Sequence, residues 1–216
     1  MSVIAYFLHV DDAQLQAVRE QPAVVWNLGS DPRFATARLV DVDKDYEVLA
    51  WLLSPRKRLE QAHQLARYKA IERESESKSK WDKTQFMGAV EEELVKLGVS
   101  PDDPDKLPTD PVLEALEGRG PRAQRDPRIN FGLGSAMVFK PDQVKSLSSA
   151  LSGLGATNLR LSFERGTLSK FDVGGMDWQG EQDDVLDRFL APAFYKIRSF
   201  YMEASSLGHH VLVIYQ

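Results

Sequence analysis

Three carboxylates at alternate positions, Asp41, Asp43 and Asp45, stand in the stretch Asp41-Val-Asp-Lys-Asp45, directly before the apolar run Tyr46-Glu-Val-Leu-Ala-Trp-Leu-Leu53. Oxygen ligands suit a hard divalent cation such as magnesium or manganese, and a cation held there would support metal-assisted hydrolysis. A calcium loop of the EF-hand kind asks for more: Gly at its sixth position and an acid at its twelfth. Tyr46 and Leu52 occupy those two positions, so that pattern fails. A phosphotransferase of the haloacid dehalogenase kind needs Thr or Val at the fifth position of Asp-x-Asp-x-Thr/Val, where this chain has Asp45. The alternative is a helix start, since a carboxylate near a helix N-terminus contributes about 0.3–1 kcal/mol when exposed. On that reading Asp43 is the N-cap and Asp45 a first-turn acid, which leaves Asp41 without a structural task.

Other chemistry is sparse. The chain has no cysteine, which removes thiolate nucleophiles, disulfides and Cys-based zinc or iron–sulfur sites, and no metal or cofactor is expected from its motifs. Of the histidines His9, His63, His209 and His210, the adjacent pair cannot easily share one ion, because neighbours in a strand point to opposite faces. Gly-x-Gly-x-x-Gly, Walker, Gly-x-Ser-x-Gly and His-Glu-x-x-His motifs do not occur. Phe131-Gly-Leu-Gly134 reads as a turn. Trp178 joins the three aspartates as a candidate binding residue, since it, Trp51, Phe200, Tyr201 and Tyr215 could line a pocket, although their spacing also fits a core.

The elements that would position these residues follow from periodicity. With 216 residues and 43% hydrophobic content the chain can bury one continuous core, and a net charge of -5 disfavours a nucleic-acid partner. The N-terminal apolar run Ser2–Val10 lacks a basic leader, and no run reaches the roughly 20 apolar residues of a membrane span, so a cytoplasmic protein is expected. That run, apolar on both faces, predicts a central strand, and Asp11 with Gln14 predicts a capped helix after it. Pro22 to Pro32 is open between helix and strand. Tyr46, Leu49 and Leu52 predict a helix stopped at Ser54-Pro55.

Residues from Arg56 to about Lys96 are charged and helix-favouring, with Leu59, Ala62 and Ala66, then Phe86, Val90, Leu94 and Leu97, as apolar stripes, and a Pro/Asp-rich linker, Ser100–Pro111, follows; the stretch 56–107 reads as a helical insertion or hairpin within a single domain spanning 1–216. Asp110-Pro111 opens a helix ended by Gly118, and Arg119–Asn130 reads as a solvated polar loop whose arginines could grip an anion. Ala136–Phe139 predicts a strand, Pro141 onward a helix, and Leu159–Phe163 a strand by alternation. Leu186 through Ala204 holds one face of a long helix, with a kink or break at Pro192 and a stop at Gly208, before a last strand at Val211–Tyr215.

Several of these pieces together resemble the YfbM-like family of bacterial proteins, a domain of unknown function. The resemblance is carried by Ile4-Ala-Tyr-Phe-Leu8, Asp41-Val-Asp-Lys44 with Leu49, Leu52 and Leu53, Pro111–Leu116, Gly134–Val144, and Phe200, Tyr201, Ala204, Gly208 and Val211–Val213. It departs at Lys140, where the family usually has a Thr cap, at Gly174–Trp178, which keeps the Trp without the usual Ile-Tyr-Pro lead, and at Pro192. The resemblance implies a single α+β domain, with helices packed on a sheet that holds both terminal strands, and it supplies no catalytic residues. The expected function is that of a non-catalytic protein-binding or accessory module, toxin neutralisation among its forms. The alternative is the hydrolase built on Asp41, Asp43 and Asp45.

Overall fold

Apolar side chains on both faces of β1 (Ala5–Val10) demand cover on both sides, and the computed structural model of the chain supplies it. The structure describes residues 4–77, 80–101, 104, 107–131 and 133–216. Outside them lie Ser2 and Val3 of the first predicted strand, Lys78 and Ser79 of the charged stretch, Asp102, Asp103, Asp105 and Lys106 of the Pro/Asp-rich linker, and Gly132 of the predicted turn.

β1 is flanked by β2 (Arg38–Asp41) and by β5 (His210–Tyr215), and the sheet continues through β4 (Ser135–Phe139) to β3 (Gln124–Asn130), giving the antiparallel order β2-β1-β5-β4-β3. The two chain ends therefore pair along their length, from Ala5 opposite Tyr215 to Val10 opposite His210. One face of the sheet, with Leu8, Val10, Leu212 and Ile214, packs on α1 (Asp12–Glu20) and on the 3-10 segment Pro22–Ser30 that the sequence leaves open. The other, with Ala5, Phe7, Val211 and Val213, packs on the remaining helices around Phe194, Ile197, Phe200 and Tyr201 of α9 (Ala191–Leu207). This is the expected α+β domain.

The predicted helix starts hold where a cap residue precedes an apolar stripe. Asp11 and Gln14 form a capping box on α1. Asp110 caps α5 (Pro111–Glu117), which ends on Gly118 at a φ of 59°. Ser54 stops α2 (Asp45–Leu53), and in the same residue its hydroxyl caps α3 (Pro55–Glu76), so one serine divides two helices. α3 pairs with α4 (Lys83–Leu97), burying the predicted Ala62, Ala66, Val90, Leu94 and Leu97. At α6 (Pro141–Ser152), Lys140 gives no side-chain cap, and Gln143 instead accepts from the Lys140 amide at 2.7 Å.

Three predicted elements differ. Leu159–Ser162 falls in a helix, α7 (Ala156–Ser162), with Phe163 ending it, not in a strand: Leu159 is buried and Leu161 is 81% exposed, and a run this short alternates equally well in either structure. Arg119–Asn130 contains β3 and is not all loop. It pairs only with β4, and Pro127 falls within the register shift between Asp126 and Asn130, where no ladder donor is needed. The long C-terminal helix breaks as predicted at Pro192, into a π-helical turn (Leu186–Leu190) and α9, but Phe189 turns to solvent because the altered winding takes it off the apolar face. α8 (Arg165–Lys170) is a further short helix.

Candidate functional site

The Asp41 stretch builds a turn. Asp41 ends β2, and the ammonium of Lys196 donates to its carbonyl at 2.5 Å while lying 3.9 Å from its exposed carboxylate. Asp43 takes a left-handed φ of 48°, a conformation that Asp tolerates better than most residues. It is not the N-cap: Lys44 holds that position with no side-chain bond. Asp45 is the first-turn acid expected, and burial, with the Asp43 charge added, pushes its carboxyl above the usual range. Among the described residues no group of three or more His, Asp or Glu could hold a metal ion. Trp178 is fully buried, donating from Nε1 to the Val173 carbonyl at 2.7 Å with Phe163 edge-on to its ring, so it packs the core and offers no face to a ligand.

Buried charge gathers elsewhere, around α5. This helix is only seven residues long and buries Leu113 through Glu117, its two glutamates included. Glu114 is 2% exposed and Glu117 1%. Burying carboxylates demands partners, and each finds cations from outside the helix. Glu117 meets Lys57 of α3 and Arg119, and Glu114 meets Arg122 at 3.0 Å. Burial works against the Arg119 charge, yet the adjacent Glu117 carboxylate holds its pKa above the ordinary guanidinium value. Three arginines of the Arg119–Asn130 segment, Arg119, Arg122 and Arg128, thus grip anions, and the anions are the protein's own.

Tyrosines and caps fix the helix in place. Tyr215 of β5 donates to the Glu117 carbonyl, and Tyr201 of α9 donates to the Ala115 carbonyl at 2.9 Å. Burial first raises the pKa of both phenols, followed at Tyr201 by Tyr215 and then Glu114 and at Tyr215 by Glu117, so they remain donors. Asp110 accepts from the amides of Val112 and Leu113 through Oδ1 and from the Ser54 hydroxyl at 2.5 Å through Oδ2, tying α5 to the α2–α3 junction.

A cavity of about 230 Å³ opens beside this network, lined by Glu60, Thr109, Asp110, Glu114, Glu117 and Arg119 among others. Glu114 uses one oxygen on Arg122, and its buried Oε1 has no hydrogen-bond partner. Gly120, at a φ of 159°, lies so close that a Cβ there would stand 2.1 Å from Glu114 Cγ. Glu60 lines in addition a neighbouring groove of about 490 Å³ along α3, where Gln64, Arg67, Tyr68 and Ile71 are exposed and His63 is half-buried. Sequence reasoning passes over Glu114 and Glu117, which look like the polar side of an ordinary helix. The available signal was the length: seven residues between Pro111 and Gly118 leave little room for a solvated face.

Comparison with known proteins places the fold and leaves the chemistry open. The chain belongs to the family described as Domain of unknown function (DUF1877), matched over residues 1–214. Its structure is similar to the crystal structure of a protein of unknown function, YfbM from Escherichia coli, with a TM-score of 0.53 and 16% sequence identity over 99% of each chain. The expected resemblance to YfbM-like proteins is thereby met, and at this identity the likeness concerns the fold. No curated protein sequence matches the chain.

Proposed function

We propose that this protein is a non-catalytic accessory module of the bacterial cytoplasm that acts by binding another protein, with the outer face of α3 as its contact surface. The observation that carries this reading is the pair Tyr68 and Ile71, 57% and 51% exposed, one turn apart on α3. Large apolar side chains left exposed mark interaction surfaces when they cluster, and Tyr and Arg, with Trp, are the residue types enriched at the energetic centres of protein interfaces. Arg67 and His63 stand beside them in the same groove. Glu60, the acid that lines this groove, is paired with Arg56 at 2.8 Å, which suits a rigid recognition surface better than a general base. A bacterial setting agrees with the Escherichia coli source of the similar structure. Neutralising a toxin by covering its surface is one form such a role takes.

The test is affinity capture from lysate of the source cell, run in parallel with wild type and the Tyr68→Ala/Ile71→Ala variant. The reading expects at least one protein enriched by wild type and lost by the variant, both baits being equally folded. It fails if both baits retain the same set, or if neither enriches any.

A further inference from the structure

We infer that the groove between α1 and the β3–β4 edge of the sheet binds a small phosphate monoester with a compact apolar body, on the sheet face away from α3 and independently of any partner held there. The first reason is the sign of the charge. Four fixed cations line the groove, Arg19 of α1, Arg125 and Arg128 of β3 and Lys140 between β4 and α6, against one carboxylate, Asp126. In a chain whose net charge is -5 that excess runs against the average, and a cleft lined by one sign focuses its field on a ligand of the other. Charges on an edge strand also guard it against pairing with another sheet, which accounts for Arg125 and Arg128. It does not account for Arg19 and Lys140, which line the same groove from other elements.

The second reason is that donors remain. Asp126 is 6% exposed and accepts from Nε of Arg19 at 2.7 Å through Oδ2 and from Nε of Arg128 at 3.1 Å through Oδ1, with Nη2 of Arg128 at 3.3 Å from Oδ2. This clip orients both guanidinium groups. Among the described residues it leaves both Nη groups of Arg19 and Nη1 of Arg128 without another bond. Arg125 and Lys140 are exposed, and their side chains make no ion pair or hydrogen bond among the described residues. Arg125 is thus the arginine of the Arg119–Asn130 segment that the protein's own acids leave over. Guanidinium edges match phosphate oxygens in pairs, and such charged bonds are about twice as strong as neutral ones. His210 also lines the groove, with its Nε2 engaged by the Asp12 carboxylate at 2.8 Å.

The third reason is size. The volume of about 390 Å³ falls within the roughly 300–1,000 Å³ of small-ligand pockets. Leu15 and Val138, 3% and 6% exposed, and Pro127 supply apolar contact beside the cations. Inorganic phosphate leaves that apolar lining unused, and a nucleic-acid strand carries its further phosphates into the field of a net acidic chain.

The probe is phenyl phosphate, titrated into the full chain while backbone amide shifts are followed by NMR. Inorganic phosphate, benzoate, phenol and a short oligothymidylate are run beside it. The expected result is a saturable response centred on the amides of Arg19, Arg125, Arg128 and Lys140, with phenyl phosphate bound about tenfold or more tightly than phenol. Arg125→Gln/Lys140→Gln, which breaks no side-chain bond among the described residues, should weaken binding by about tenfold or more. Arg160→Gln, which removes a cation of α7 outside the groove, should leave it unchanged. No saturation, undiminished binding in the double variant, equal weakening by Arg160→Gln, or phenol bound as tightly as phenyl phosphate overturns the inference. Inorganic phosphate or benzoate matching phenyl phosphate also overturns it, because the apolar lining or the double charge then plays no part. Tighter binding of the oligothymidylate overturns it in favour of a nucleic-acid track.

Discussion

His9 and His209, 200 positions apart in the chain, face one another through their Nδ1 atoms at 3.0 Å in the interior. One must donate and the other accept, so the pair holds one proton between those two nitrogens and resists a second. Pairing of β1 with β5 brings the two together, and Phe200 packs against the His9 ring.

The pair predicts a pH dependence. Burial first, then the charge that His209 would carry, and Arg38 beyond it, lower the His9 pKa from 6.5 to about 4, with Glu203 opposing. His209 is lowered as well, by burial and then by His210, against Asp11 and Glu203. For a base whose folded pKa is depressed, the unfolded chain binds more protons between the two values, so stability rises with pH there. The stability is complete above about pH 6.5 and is lost as pH falls from 6.5 towards 4. Thermal melts across that range should show the decline, and His9→Gln should flatten it. An unchanged slope in the variant would place the titration elsewhere.

Asp45 has the opposite sign. Its folded pKa lies above the unfolded value of 3.8, so the carboxylate costs stability once pH rises through the folded pKa. Asp45→Asn should therefore melt higher than wild type at pH 7, with the gap closing in acid. A metal-binding role predicts the reverse in the presence of magnesium or manganese: wild type stabilised by the metal and the variant not. The expected result is no thermal shift from either metal.

Gly118 closes α5 against the sheet. A Cβ there would sit 2.7 Å from the Val213 Cβ, at a φ of 59°. Gly118→Ala combines a left-handed backbone penalty of roughly 1–2 kcal/mol with overpacking of roughly 1–3 kcal/mol. Urea denaturation should show a lower midpoint at unchanged slope. A midpoint equal to wild type would mean that α5 does not pack on β5 as described.

Trp178 separates packing from binding. Trp178→Ala should destabilise by about 3–5 kcal/mol, the range for emptying a large buried aromatic site. Trp178→Phe, which keeps one six-membered ring and leaves the buried Val173 carbonyl without its donor, should cost less, about 1–3 kcal/mol. Neither substitution, in protein that remains folded, should change what the protein captures.

Local signals explain which parts of the fold were legible in the chain. Asp11 with Gln14, Asp110 before Pro111, and Gly98, Gly118 and Gly208 after apolar stripes each announce a helix end, and the structure has helix ends there. Leu159–Phe163 failed because five residues cannot distinguish two periods. β3 was hidden by its own polarity, since an edge strand needs only Ile129 buried, while Asp126 is held by Arg19 at 2.7 Å and by Arg128. The site was least legible. Glu114, Glu117, Lys57 and Tyr215 are dispersed along the chain, and only the packing of α5 against α3 and β5 brings them together.

The central claim, that the outer face of α3 holds a protein partner, is tested most directly by photocrosslinking in the source cell. A photoreactive amino acid is placed at Tyr68, and in a control at Leu161, which is more exposed but lies on α7, outside the groove. The account predicts a discrete higher-mass adduct containing a second protein from position 68 and none from position 161. No adduct from position 68, or the same adducts from both positions, would contradict it.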